Sequence, residues 1–530
     1  MADAWRERIF QWPVLVASDT AVSCDVAIVG SGCGGAALAM RLAEAGKSVV
    51  ILERGGYYTK DDFDQRELNM LARVDGGRGL DTSEDGSIAL TYGNNVGGAS
   101  VHYWADSYRL PEDRAQQWQE VFGMQGHDPA TLAKHYAVIE RDLHVHPAAD
   151  AYVNRMNAIV RDTAQALGWH VKRVPQARRG CLASGFCMQG CAYDAKQSQL
   201  VTYVPRALAA GARLYADTDA IGISFQGRQA KTLHCQVLDR GTGQPSKTRV
   251  DVTARAIVIA AGGFNTPEVL QRVALPQELP ALGQNFFCNP CPMVHARFDE
   301  DIIQWRNIPA AWGVEEFRRA RYQGPERAFG RPSSSDYIEG GYLLMPNQLQ
   351  PGLLAAVLPG AGAKHRELMR ELARLGGTIA WIDDIEPGSI RVEDGQRRIS
   401  MPLRGGNAAR IRDAWIKQAQ LLIRAGAREL MFGDAEDTRI TRADEIERAV
   451  AQLSLRPARN VFAAPHPGGG ARMGSSERDS VVGFDHRVHG TDNLYVSDPS
   501  VFPAPPSVDP SLTIMAFSFV AADAIQSAIA

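Results

Sequence analysis

The chain has 530 residues and a formal net charge of −3, so nothing in its charge argues for nucleic acid or another strongly charged partner. A composition 45% hydrophobic and 22% charged excludes the disordered, collagenous and disulfide-scaffold classes, and the length implies two closely packed domains or one large interrupted one. No apolar run looks long enough to span a bilayer and Met1 to Pro13 lacks a signal core, which predicts a cytoplasmic protein; co-export with a small partner subunit stays open.

The first element is an apolar run, Cys24 to Val29, that reads as a buried strand. Gly30-Ser31-Gly32-Cys33-Gly34-Gly35 follows, then a helical pattern from about Ala36 to Ala45 that Gly46 stops. Ser48 to Leu52 reads as a second strand, ending at Glu53. In such a unit Gly30 permits the tight turn, Gly32 admits a pyrophosphate close to the backbone, and Gly35 lets the helix pack on the sheet. Unpaired N–H groups and the helix dipole favour phosphate at the helix start. Glu53 would accept hydrogen bonds from ribose hydroxyls.

Further along, Asn94 to His102 contains the paired glycines Gly97 and Gly98, then Ser100 and His102. Cys181, Cys187 and Cys191 are spaced C-x5-C-x3-C, and Cys288 and Cys291 form a close pair; clustered cysteines in a cytosolic protein suggest metal or catalysis before disulfides. Arg255 to Ala261 reads as another buried strand before Gly262-Gly263. Between 292 and 460, alternating segments such as Tyr342 to Met345 and Thr378 to Ile382 predict an antiparallel sheet, with a helix over about Ala408 to Gly426.

The last seventy residues hold His466-Pro467-Gly468-Gly469-Gly470, a short strand Leu494 to Val496 ending near Asp498, and Asp509-Pro510 before a final apolar helix. Histidine titrates near neutral pH and suits general acid–base work. Asp509 is a good helix cap with Pro510 at the first helical position; the sharper alternative sets its carboxylate against the substrate. His486 and His489 read as structural.

These motifs together resemble the glucose–methanol–choline (GMC) family of FAD-dependent alcohol oxidoreductases. The resemblance implies an α/β FAD-binding Rossmann-like fold of the glutathione-reductase type with an inserted antiparallel-sheet substrate domain. The FAD-binding domain would be discontinuous (1–110, 195–291 and 461–530), and 111–194 with 292–460 would form the substrate domain. It implies FAD contacts at Gly97, Gly98, Ser100 and His102, with no covalent bond predicted, and an acid at Asp498 toward the ribityl chain or pyrophosphate. Pro510 and the helix behind it would face the flavin ring. His466 would be the base and Asp509 the second active-site residue, departing from the family's usual His or Asn.

The cysteine triad resembles the segment that holds a 3Fe-4S cluster in the fructose and glucose dehydrogenase branch, although Ala192 replaces the proline there. The packed structural alternative stands beside it. The expected activity is oxidation of a small-molecule alcohol, with oxygen, a quinone or a cytochrome as terminal acceptor. A hydroxynitrile-lyase-like enzyme, a sugar or polyol dehydrogenase working through the cluster, and a non-catalytic electron relay are the alternatives.

Overall fold

The computed structural model describes residues 4–332 and 334–530. Its first layer is an eight-stranded sheet built from distant segments. Ile9–Phe10, Arg213–Tyr215, Val49–Leu52, Thr20–Val29 and Pro245–Ile259 lie side by side in parallel, and Leu494–Val496 also pairs in parallel with Pro245–Ile259. Gln229–Leu238 and Thr218–Gln226 extend the sheet as an antiparallel hairpin.

The sequence explains the parallel centre. Val26 to Val29 and Val49 to Leu52 are apolar at successive positions and buried on both faces, as strands flanked by helices must be. Pro245–Ile259 is longer than the run expected from Arg255. Its first part alternates exposed and buried residues where it meets the hairpin, and only its end is continuously apolar.

The helix Cys33–Glu44 packs against the terminal helix Ser511–Ala528. That terminal helix is apolar and long enough to cross a membrane by length and composition alone, which amends the expectation that no segment is. It is instead a core helix: Leu512, Met515, Ala516, Phe517, Phe519 and Ile525 are all buried. Each large apolar side chain buried this way contributes about 1.5–3 kcal/mol.

A second, seven-stranded antiparallel sheet runs Arg439–Ile440, Glu429–Phe432, Met293–Arg297, Leu375–Ile382, Tyr342–Pro346, Trp312–Val314, Val171–Arg173. The helix Gly405–Arg424 covers it through Ile411, Ala414, Trp415 and Leu422. A small sheet joins Gln284–Phe286 to Gly388–Glu393 and Gln396–Ser400, stitching the two layers together.

Candidate active site

Two loops meet at the carboxyl end of the parallel strands, where ligands bind in open α/β sheets. Gly32 caps the helix Cys33–Glu44 with backbone alone, so the first N–H groups of that helix have no side-chain acceptor. A Cβ on Gly32 would meet nothing nearer than Gly98 Cα at 3.8 Å, whereas one on Gly98 would come within 2.8 Å of Gly32 Cα. The two glycine backbones therefore lie in van der Waals contact, an approach that a side chain on Gly98 would prevent. The open space at the helix start beside this contact, with its first N–H groups free of side-chain acceptors, is a slot that suits the pyrophosphate of a dinucleotide. Gly34, which the motif reading passed over, is the tightest position: a Cβ there would lie 1.9 Å from the Ser497 carbonyl oxygen.

The polar residues around the slot hold the loops in shape. Glu53 accepts bonds from the Ser31 amide (3.0 Å), the Ser31 hydroxyl (2.7 Å) and the Gly55 amide (2.9 Å). Burial raises its carboxyl pKa despite these bonds. The Ser31 hydroxyl also accepts from the Gly97 amide at 3.0 Å. Ser100 donates to the Gly97 carbonyl at 2.6 Å. His102 is buried against the Val74 carbonyl, and desolvation pushes its pKa down to about 4. Asp498 accepts from the Ser500 amide (2.9 Å), the Gly262 amide (2.9 Å) and the Thr266 hydroxyl.

Close to this slot the chain brings together His466 and Asp509. His466 Nε2 lies 3.2 Å from Asp509 Oδ1, and both residues are buried. The terminal helix starts at Ser511 with Pro510 in the cap position and no side-chain cap bond. Asp509 thus meets the histidine instead of capping the helix. The Trp381 ring packs edge-on to His466 at 5.3 Å and Trp104 packs on Trp381 at 5.7 Å; Val508, Met293, Met345 and Leu349 belong to the same apolar cluster.

The loop that presents Asp509 is fastened from the substrate side. Ser507 has φ +63, rare for a non-glycine residue. Its hydroxyl donates to Asp383 Oδ2 at 2.6 Å, and Arg114 pairs with the same oxygen at 2.7 Å. A second non-glycine residue in this region, the fully buried Ala105, has φ +79 and precedes Asp106. Such positions cost about 1–3 kcal/mol and persist where the surroundings over-determine them. No sequence pattern pointed to Asp106, Arg114, Trp381 or Asp383.

The cysteine expectation needs correction. Among the described residues no group of three His, Cys, Asp or Glu is placed to hold a metal ion, so the structure does not support the 3Fe-4S ligand set that the spacing of Cys181, Cys187 and Cys191 suggested. The Arg178 guanidinium lies 3.4 Å from Cys187 Sγ and 3.9 Å from Cys181 Sγ, and the Ala183 amide donates to Cys181 Sγ at 3.4 Å. Cys291 donates to the Asn289 carbonyl at 3.0 Å, and both it and Cys288 are buried. Lys196, also buried, donates to the carbonyls of Val101, Tyr103 and Cys187, and desolvation lowers its pKa to about 8.

The family that this chain matches consists of FAD-dependent alcohol oxidoreductases, and the chain is one of that class. The comparisons agree on the family. GMC oxidoreductase profiles match residues 30–291 and 388–518, and the chain belongs to the GMC oxidoreductase family. It is 28% identical to an uncharacterized GMC-type oxidoreductase of Mycobacterium tuberculosis strain H37Rv over 510 residues, covering 96% of this chain and 76% of that one. It is 24% identical to a long-chain-alcohol oxidase of Arabidopsis thaliana, covering 94% of this chain and 68% of that one. Among solved structures, pyridoxine 4-oxidase from Mesorbium loti superposes with TM-score 0.66 at 16% identity over 94% of this chain and 98% of that one. A formate oxidase variant from Aspergillus oryzae gives 0.69 at 14% identity, over 96% and 99%.

Proposed function

We propose that the protein oxidises an apolar primary or secondary alcohol to its carbonyl, with His466 as base and Asp509 as the second active-site residue. The observation that carries this reading is the 3.2 Å contact between His466 Nε2 and Asp509 Oδ1 inside an aromatic, apolar wall. FAD, when bound, supplies the hydride acceptor. Gly30, Gly32, Gly35, Gly97, Gly98 and Pro510 would let its phosphates and ring approach, and Glu53, Ser100, His102 and Asp498 would brace the loops around it.

The substrate hydroxyl would sit beside the imidazole–carboxylate contact, within reach of both groups, since 3.2 Å leaves no room between them. His466 takes the hydroxyl proton as the hydride leaves carbon, and Asp509, 3.2 Å from Nε2, stabilises the resulting imidazolium. Trp104 and Trp381 exclude water and offer an apolar face. That favours an aliphatic, aromatic or terpenoid alcohol over a sugar, in keeping with the long-chain-alcohol oxidase relative.

The test is anaerobic mixing of holoenzyme with a panel of alcohols. Bleaching of the oxidised flavin spectrum by apolar alcohols is expected. A hydroxynitrile-lyase-like enzyme on the same scaffold would turn over its substrate without bleaching, and an electron relay would bleach with none.

A further inference from the structure

Asp106 is a second carboxyl group at this site, and the proposed mechanism does not use it. It is 1% exposed. Gln176 Nε2 donates to its Oδ1 at 2.8 Å. Gln176 is itself fully buried and is held through its oxygen by Arg178 Nε at 2.9 Å. The remaining oxygen, Asp106 Oδ2, has no hydrogen-bond partner among the described residues, and neither has Asp509 Oδ2. The Ser511 hydroxyl, two residues past Asp509, donates to the Asp106 main-chain carbonyl at 3.1 Å, so the two acids lie on neighbouring segments.

The charges facing the two acids differ. Around Asp106 stand Asp509, Cys187, Tyr103, Tyr108 and the Arg178 guanidinium. Arg178 is occupied by Gln176, the Trp104 carbonyl and Cys187 and makes no hydrogen bond to the carboxyl. Around Asp509 stand His466, Asp106, Tyr108 and Cys291. Only Asp509 has a group that can become a cation within hydrogen-bond reach. Two buried carboxylates that feel each other do not both ionise readily. Burial and the neighbouring Asp509 push the Asp106 carboxyl well above its ordinary range.

We propose that Asp106 and Asp509 hold one proton between them, that Asp106 carries it, and that Asp106 is thereby the positioning residue that leaves Asp509 free to act as the carboxylate partner of His466. This rests on the reading of His466 and Asp509 given above. The bond from Gln176 to Oδ1 makes Oδ2 the protonated oxygen. As pH rises through the Asp106 titration, a second negative charge appears beside Asp509 and opposes the build-up of negative charge on the substrate oxygen as its proton leaves. The rate of alcohol oxidation then falls.

The experiment has two readouts on FAD-loaded enzyme. The first is the infrared carbonyl stretch of a protonated carboxylic acid, followed against pH without substrate. Because other buried carboxyls such as Glu53 and Asp384 are also raised, the band is read as a difference from wild type: at neutral pH wild type should show a component that Asp106→Asn loses, and that Asp509→Asn keeps while titrating at lower pH, because the neighbouring charge is gone. The second is the pH profile of alcohol-driven flavin bleaching, whose alkaline decline should be lost in Asp106→Asn. No such component in wild type, or one lost in Asp509→Asn and kept in Asp106→Asn, overturns the proposal. So does an alkaline decline unchanged in Asp106→Asn. Because the infrared measurement needs no turnover, a failure of the alcohol-oxidation reading would leave it interpretable.

Discussion

The two sides of the site handle their buried acids in opposite ways. On the cofactor side Glu53, Ser31, Ser100 and Asp498 place their oxygens in bonds to neighbouring loops. On the substrate side Tyr108 OH, Trp381 Nε1, Asn347 Oδ1, Asp106 Oδ2 and Asp509 Oδ2 are buried without a partner among the described residues. An unmet buried polar group costs about 1–3 kcal/mol. The cofactor side is thus a finished cradle that depends on the absence of side chains. The substrate side keeps its polar atoms free for whatever enters.

The sharpest way to break this contrast is to fill the cradle. Gly32→Val should abolish FAD binding while the protein stays folded, since the added atoms meet open space before they meet protein. The flavin-to-protein absorbance ratio and a thermal melt check both halves of the expectation; a fully yellow mutant would refute the slot.

On the substrate side, His466→Ala should slow alcohol-driven flavin bleaching by about 100-fold or more, the scale of losing a general base. FAD content should be unchanged. Stopped-flow absorbance under anaerobic conditions measures it, and a fast mutant would remove the residue at the centre of the proposed chemistry.

Asp509→Asn should cost about tenfold, the effect of removing one charge-assisted bond of about 1.5 kcal/mol. The pH profile should change with the rate, and the fold should hold because Asp509 does not cap the terminal helix. Wild-type rate and profile would return the residue to a purely structural role.

The smallest effect belongs to stability on the finished side. His127 and His486 face each other at 3.0 Å beneath Phe517, and burial holds their pKa values at about 3 and about 4. Both are lowered from the ordinary value of about 6.5. The unfolded chain therefore binds more protons than the native state below that pH, and stability falls as pH falls from about 6.5 toward about 4. His127→Gln, which cannot be charged, should flatten that slope in urea titrations at several pH values.

What could be read from the chain follows the same divide. The strand, glycine turn, helix and second strand from Cys24 to Glu53 are local, and the periodicity of contiguous residues encodes them. The expected strand at Arg255 was a fragment of Pro245–Ile259, because solvent on one face replaces a buried run with alternation. His466 and Asp509 were legible because each sits in a local motif. Asp106 was not: its neighbours Gln176, Arg178 and Ser511 come from other segments, and no spacing links them. The cysteine spacing misled for the related reason that spacing alone does not fix where sulfurs point.

The Arg114–Asp383–Ser507 connection has a mechanical meaning. Asp383 follows directly on the strand Leu375–Ile382 of the substrate-side sheet, and Ser507 lies two residues before Asp509. One carboxylate therefore works as a rivet between the wall that shapes the substrate and the acid that meets the histidine. A shift of that strand is carried straight into the spacing of the pair, so pocket shape and proton-transfer geometry change together.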